Sequence, residues 1–225
     1  MADPTPVSAP IPRLLPLADV AAALLADHRE AWDARCTGRP RGPVTGLAPL
    51  DHALGGQLEP GAVVLCRGQA GVGRTALGLQ AAAACAAAGV PALVVTAEQA
   101  PTELLRRLVC HVTGEFLGKL RGELAPARMA ELISRTVEAC PRLVLADAVT
   151  EPVRPAQLDE WLPAATWGAP FGLCVLDSVQ SWASGWAPTT ATEYDALGAA
   201  MYAIRELVTR HQSPSSSLPN ATGSG

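Results

Sequence analysis

Ala62-Val63-Val64-Leu65-Cys66-Arg67-Gly68-Gln69-Ala70-Gly71-Val72-Gly73-Arg74-Thr75 joins an apolar run to a glycine-rich turn, and this stretch decides the reading of the chain. The run 62–66 suits a strand buried on both faces. Gly68 to Thr75 has the phosphate-loop form GxxxxGK[ST], with Arg74 where lysine belongs. Glycines let backbone N–H groups turn inward and approach a phosphate chain without a Cβ clash. A helix beginning near Thr75 would add its positive end. Gly68, Gln69, Ala70, Gly71, Val72, Gly73, Arg74, Thr75 and Ala76 are therefore the expected nucleotide-binding residues. In this reading Arg74 neutralises the β- and γ-phosphates of ATP, and the Thr75 hydroxyl binds Mg²⁺. A plain glycine-rich strand-to-helix turn is the alternative.

Arg74 bears on hydrolysis. A guanidinium is a broad planar fork where lysine offers a compact ammonium, so the exchange is not conservative at a tight phosphate site. Binding with impaired hydrolysis is the expectation. Composition supplies a second explanation, since Lys119 is the lone lysine among 17 basic residues.

Outward from this loop, short apolar runs alternate with helical patterns. A helix is expected over 75–88, ended by Gly89 and Pro91, followed by a strand over 92–96. Pro101, Pro126 and Pro155 open helices to about 112, 140 and 162. Further strands are expected over 143–146 and 172–176, with a last helix over 192–210. Strands alternating with helices imply a mainly parallel sheet with helices on both faces.

Two carboxylates fall at strand ends, where ligands bind in such sheets. Leu173-Cys174-Val175-Leu176-Asp177 ends in Asp177, which could hold the Mg²⁺ shell. Leu93-Val94-Val95-Thr96-Ala97-Glu98 ends in Glu98, placed to orient water for attack on a γ-phosphate. A solvated glutamate at a strand end is the plainer alternative. Trp182 and Trp186 could stack on bases. Because 181–191 contains no Lys or Arg, core packing is the favoured role for both.

With 225 residues, 49% hydrophobic and 17% charged, the chain is too apolar to be mainly disordered. No apolar run reaches the roughly 18 residues of a membrane span, and residues 1–16 lack a signal-peptide pattern. A net charge of −4 gives no global attraction for nucleic acid. The cysteines at 36, 66, 85, 110, 140 and 174 form no CxxC pair and read as reduced cytoplasmic thiols, mostly in the core. Residues 1–16 form a proline-rich lead-in, 17–43 a helix (17–32) and Pro/Gly linker, 44–210 the main domain, and 211–225 a disordered Ser/Pro/Gly tail.

These motifs in this order resemble the RecA-like ATPases, specifically the DnaB-type replicative helicases and the RadA repair proteins, over about residues 44–210. Val44-Thr45-Gly46-Leu47-Ala48-Pro49-Leu50-Asp51 and Gly55-Gly56-Gln57-Leu58-Glu59-Pro60-Gly61 are similar to the family's "TGxxxLD…GGxxxG" lead. Leu176-Asp177-Ser178-Val179-Gln180 matches its Walker B segment, and Glu98 stands where its catalytic glutamate does. Residues 121–161 look like the DnaB insertion. The helix over 17–32 sits where that family carries a linker helix that docks on a neighbouring subunit. The resemblance implies an α/β RecA-like P-loop NTPase using ATP and Mg²⁺, with Glu98 and Arg74 catalytic and Thr75 and Asp177 at the metal. It also implies a homo-oligomer, or a complex with a related ATPase subunit, working on single-stranded DNA in replication or repair. The family's next strand, its later DNA loop and its arginine finger have no counterpart in the chain. An unpaired sheet edge is therefore expected, and a nucleotide-binding module with little hydrolysis is the alternative.

Overall fold

The computed structural model describes residues 14–166 and 168–212, which fall into two units meeting between Arg39 and Pro40. The first unit is helix α1 (Leu17–Thr37), longer than the expected 17–32 and closed by Gly38 in the left-handed conformation. Leu17, Leu24, Leu25 and Trp32 are exposed along it.

The second unit contains α2 (Ala48–Ala53), α3 (Arg74–Ala87), β1 (Ala92–Thr96), α4 (Pro101–Thr113), α5 (Pro126–Ala139), β2 (Leu143–Asp147), α6 (Pro155–Ala165), β3 (Leu173–Asp177), α7 (Val179–Trp186) and α8 (Glu193–Gln212). Proline takes the first position of α4, α5 and α6, where its missing N–H has no helical partner to lose. Parallel strands in the order β2-β1-β3 put β1 at the centre, buried along its whole length. Thr96 stands in register with Asp147 on one side and Asp177 on the other, so all three strands end at one level.

Alternation along β1 sorts the core into two layers. Ala92 and Val94 pack with Leu79, Ala82 and Cys85 of α3 and with Leu104 and Leu108 of α4. Leu93 and Val95 face Leu158 of α6, Trp182 of α7 and Ala200 and Leu207 of α8. Each fully buried aliphatic side chain here is worth about 1.5–3 kcal/mol of transfer free energy. Helices therefore cover both faces, as the alternating pattern requires. Among the described residues no helix is long and apolar enough to cross a membrane.

Three expectations need correction. The run 62–66 pairs with no strand among the described residues, and Val63, Val64 and Leu65 are 42%, 58% and 57% exposed. A strand exists only by pairing; β1 has both edges filled, and 62–66 lies on neither remaining edge. Second, the cysteines are not mostly core: Cys36, Cys66 and Cys174 are exposed, because α1, the unpaired run and the edge strand β3 leave them uncovered. A helix not expected from the sequence also follows Asp177. Ser178 caps α7, and the cap together with the burial of Trp182 makes it helical. Finally, residues 211 and 212 belong to α8, while the rest of the expected tail, like residues 1–13 of the lead-in, lies outside the described residues.

Candidate nucleotide site

The glycine-rich loop runs directly into α3, whose N-cap is Gly73 at φ 100°. Gly71 is also left-handed, at φ 80°. Such conformations cost any L side chain about 1–2 kcal/mol, which explains glycine at both positions. At Gly68 a Cβ would stand 2.6 Å from Cγ1 of the exposed Val72 side chain, which would have to turn aside. The loop is exposed, and Thr75 lies half-buried on the first turn of α3. This cradle, free of Cβ atoms where a phosphate chain would lie, fits a nucleotide. Thr75 and Asp177 carry a hydroxyl and a carboxylate, oxygens of the kind that a hard cation such as Mg²⁺ takes.

The lead motif supports the loop from behind. Asp51 Oδ1 accepts from Thr45 N (2.8 Å) and Thr45 Oγ1 (2.7 Å), and Oδ2 accepts from Gly46 N (3.0 Å). Gln80 Nε2 of α3 donates to the Gly46 carbonyl at 3.3 Å. The Cys85 thiol accepts from Val44 N (3.3 Å) and donates to Val44 O (3.2 Å). The Thr-Gly…Asp pattern is thus a clamp that fastens the lead segment to the phosphate-loop helix.

Glu98 is presented by a turn after β1. Buried Thr96 donates through Oγ1 to Gln99 O at 2.5 Å and accepts from Gln99 N at 3.3 Å. Ala97 N donates to Asp177 O at 2.8 Å, tying the turn to the end of β3. Glu98 Oε1 accepts from Ser178 Oγ and, at 2.9 Å, from Ser181 Oγ. These two hydroxyls, and more weakly the Arg74 guanidinium, hold the exposed carboxyl below its ordinary value, so it is an anion at neutral pH. Asp147, in register with Thr96, is spent locally: Val149 N, Thr150 N and Thr150 Oγ1 all donate to it.

Glu98 and Asp177 stand at the ends of adjacent strands, and the Arg74 guanidinium at the start of α3 acts on the Glu98 carboxyl. Trp182 and Trp186 do not join them. Trp182 is 2% exposed and stacks edge-on against Trp186, with ring centroids 5.5 Å apart. Two site features were missed in the sequence. Ser181 was one, although its spacing from Ser178 is the i, i+3 spacing of a helix cap. The other is a cavity of about 380 Å³ beside the loop, lined by Val72, Gly73, Ala76 and Gln80 and by Arg107 and His111 of α4. Arg107 Nε is buried without a hydrogen bond and pairs with Glu103 Oε1 at 3.7 Å.

A family described as "AAA domain" matches residues 41–214. Among solved structures, the ATPase domain of G40P superposes with a TM-score of 0.68 at 14% identity, covering 85% of this chain and 67% of that one. At this identity the likeness is one of fold, an α/β RecA-like domain. No curated protein matches.

Proposed function

The chain belongs to the AAA domain family matched over residues 41–214, and on that premise we propose that it binds ATP with Mg²⁺ and hydrolyses it as the motor of a DnaB-type helicase or translocase. Asp177 and a serine-held Glu98 at one edge of the parallel sheet, with the Arg74 guanidinium of the glycine loop acting on Glu98, carry this reading. Gly68 to Ala76 cradle the phosphates, and Arg74 neutralises them. Thr75 and Asp177 would hold Mg²⁺, which would supply charge neutralisation for the phosphates. Glu98 orients the attacking water and takes its proton. The cavity beside Val72 and Arg107 takes the base, a guanidinium offering a flat cationic face to a purine. The substrate strand is single-stranded DNA, in cytoplasmic replication or repair.

A homo-oligomer, or assembly with a related ATPase subunit, completes the proposal, with α1 as the docking helix. Its exposed Leu17, Leu24, Leu25 and Trp32 favour a partner over solvent. Deleting residues 17–32 should shift the sedimentation distribution toward monomer; an unchanged distribution rejects that role.

Arg74 favours a second reading, a nucleotide-binding module with little hydrolysis that regulates a complete ATPase. Calorimetric titration with ATP and Mg²⁺, followed by turnover with and without single-stranded DNA, separates the two. Micromolar binding with DNA-stimulated turnover supports the motor. Binding without turnover leaves the module, and no binding removes both.

A further inference from the structure

Ser178 and Ser181 converge on one oxygen of Glu98 from the start of a different element. Ser178 is the N-cap of α7, where its Oγ accepts from Ser181 N at 3.3 Å and donates to Glu98 Oε1. Ser181, on the first turn of that helix, donates to the same Oε1 at 2.9 Å, and the two hydroxyls lie 3.2 Å apart. A cap needs only the first serine. The second hydroxyl does no work for α7 that the Ser178 cap leaves undone.

We propose that Ser178 and Ser181 are positioning residues that fix the Glu98 carboxylate through Oε1 and so aim Oε2 at the attacking water. The inference rests on Glu98 acting on that water, as argued above. A carboxylate on an exposed two-methylene stem samples several rotamers, and only a fraction present an oxygen at hydrogen-bonding distance and angle to one water. Two hydroxyls donating to one oxygen select a single rotamer and leave the other oxygen uncommitted. Because both donors ride on the first turn of α7, the aim of Glu98 follows the position of that helix. α7 in turn packs through Trp182 against β1 and α8. Both serines bond Glu98, which the Arg74 guanidinium reaches only by charge, so their loss should act on the rate of chemistry and leave nucleotide affinity alone.

Ser181 is the cleaner probe, since Ser178 also caps the helix. The test is steady-state ATP turnover of the full chain with poly(dT), alongside calorimetric ATP affinity and thermal melting, for wild type, Glu98→Gln, Ser181→Ala and Ser181→Thr. Ser181→Ala should lower kcat about tenfold or more, as expected for a displaced catalytic group, with ATP affinity and melting temperature unchanged. Ser181→Thr, which keeps the hydroxyl, should restore most of that rate. A wild-type kcat in Ser181→Ala, or a loss that threonine does not restore, overturns the positioning role while Glu98→Gln shows whether the base itself stands. Full turnover in Glu98→Gln, or none in the wild-type chain, overturns the base and the positioning together.

Discussion

Thr96 and Asp177 end adjacent parallel strands in register, and the residue after Thr96 donates its N–H to the carbonyl of Asp177 at 2.8 Å. The turn carrying Glu98 is therefore anchored at both ends, by Thr96 Oγ1 to Gln99 and by Ala97 to β3. Thr96→Val keeps the shape and removes the hydroxyl, leaving the part-buried Gln99 backbone N–H and carbonyl short of a partner. We expect a loss of about 1–3 kcal/mol in denaturant unfolding, together with slower ATP turnover. Turnover at the wild-type rate in a destabilised Thr96→Val chain would show that the turn does not govern Glu98.

Arg74 decides how well the loop works. Arg74→Lys places a compact ammonium at the start of α3, and we expect turnover to rise about tenfold or more, the scale of one well-placed donor at developing charge, with ATP affinity held. Arg74→Ala should weaken ATP binding in calorimetry. An unchanged rate in the lysine variant would mean that the guanidinium already serves the phosphates fully.

The lead clamp should matter for stability. Gly46 sits at φ 73°, and a Cβ there would stand 2.6 Å from Ala84 Cβ on α3. Gly46→Ala thus combines left-handed strain with overpacking, and about 2 kcal/mol or more should be lost. A chemical denaturation midpoint equal to wild type would show that the lead segment can lift off α3 at little cost.

Cys85 gives the pH dependence. Burial pushes its thiol from an ordinary 9.0 up to about 11, so the folded chain holds that proton more tightly than the unfolded one. Its contribution is complete below pH 9, and it is lost as pH rises from there toward 11. Stability measured across this window should fall less steeply in Cys85→Ala. In native thiol labelling at pH 8, the exposed Cys36 and Cys66 should react and Cys85 should not. Equal labelling of Cys85 would place it outside the core.

What the sequence made legible, and what it hid, follows from the range of each interaction. β1 and β3 could be read because their apolar runs stop at polar residues, Thr96 and Asp177, where a parallel sheet meets its ligand. The Thr45-Gly46…Asp51 clamp joins positions only six apart and leaves a motif. The serine hold on Glu98 joins positions 80 and 83 apart, and no local pattern reports it. Residues 62–66 misled for a related reason. An apolar run states that a segment avoids water, whereas a strand also needs a neighbouring edge, which lies elsewhere in the chain. α7 was hidden because its helix depends on one cap and on the burial of Trp182 under α8, neither visible as periodicity.

The outer edge of β3 and the run 62–66 give the last prediction. Among the described residues nothing pairs with either, and Val63, Val64 and Leu65 stand exposed beside the phosphate loop. Unpaired backbone and exposed β-branched side chains together template pairing with another chain. The isolated chain should therefore melt at modest temperature and self-associate as concentration rises. Val64→Lys puts a charge on the exposed run, and it should shift sedimentation toward monomer without lowering the melting temperature of a dilute sample. A high melting temperature for the dilute wild-type monomer, with no concentration dependence, would show that the edge is already satisfied.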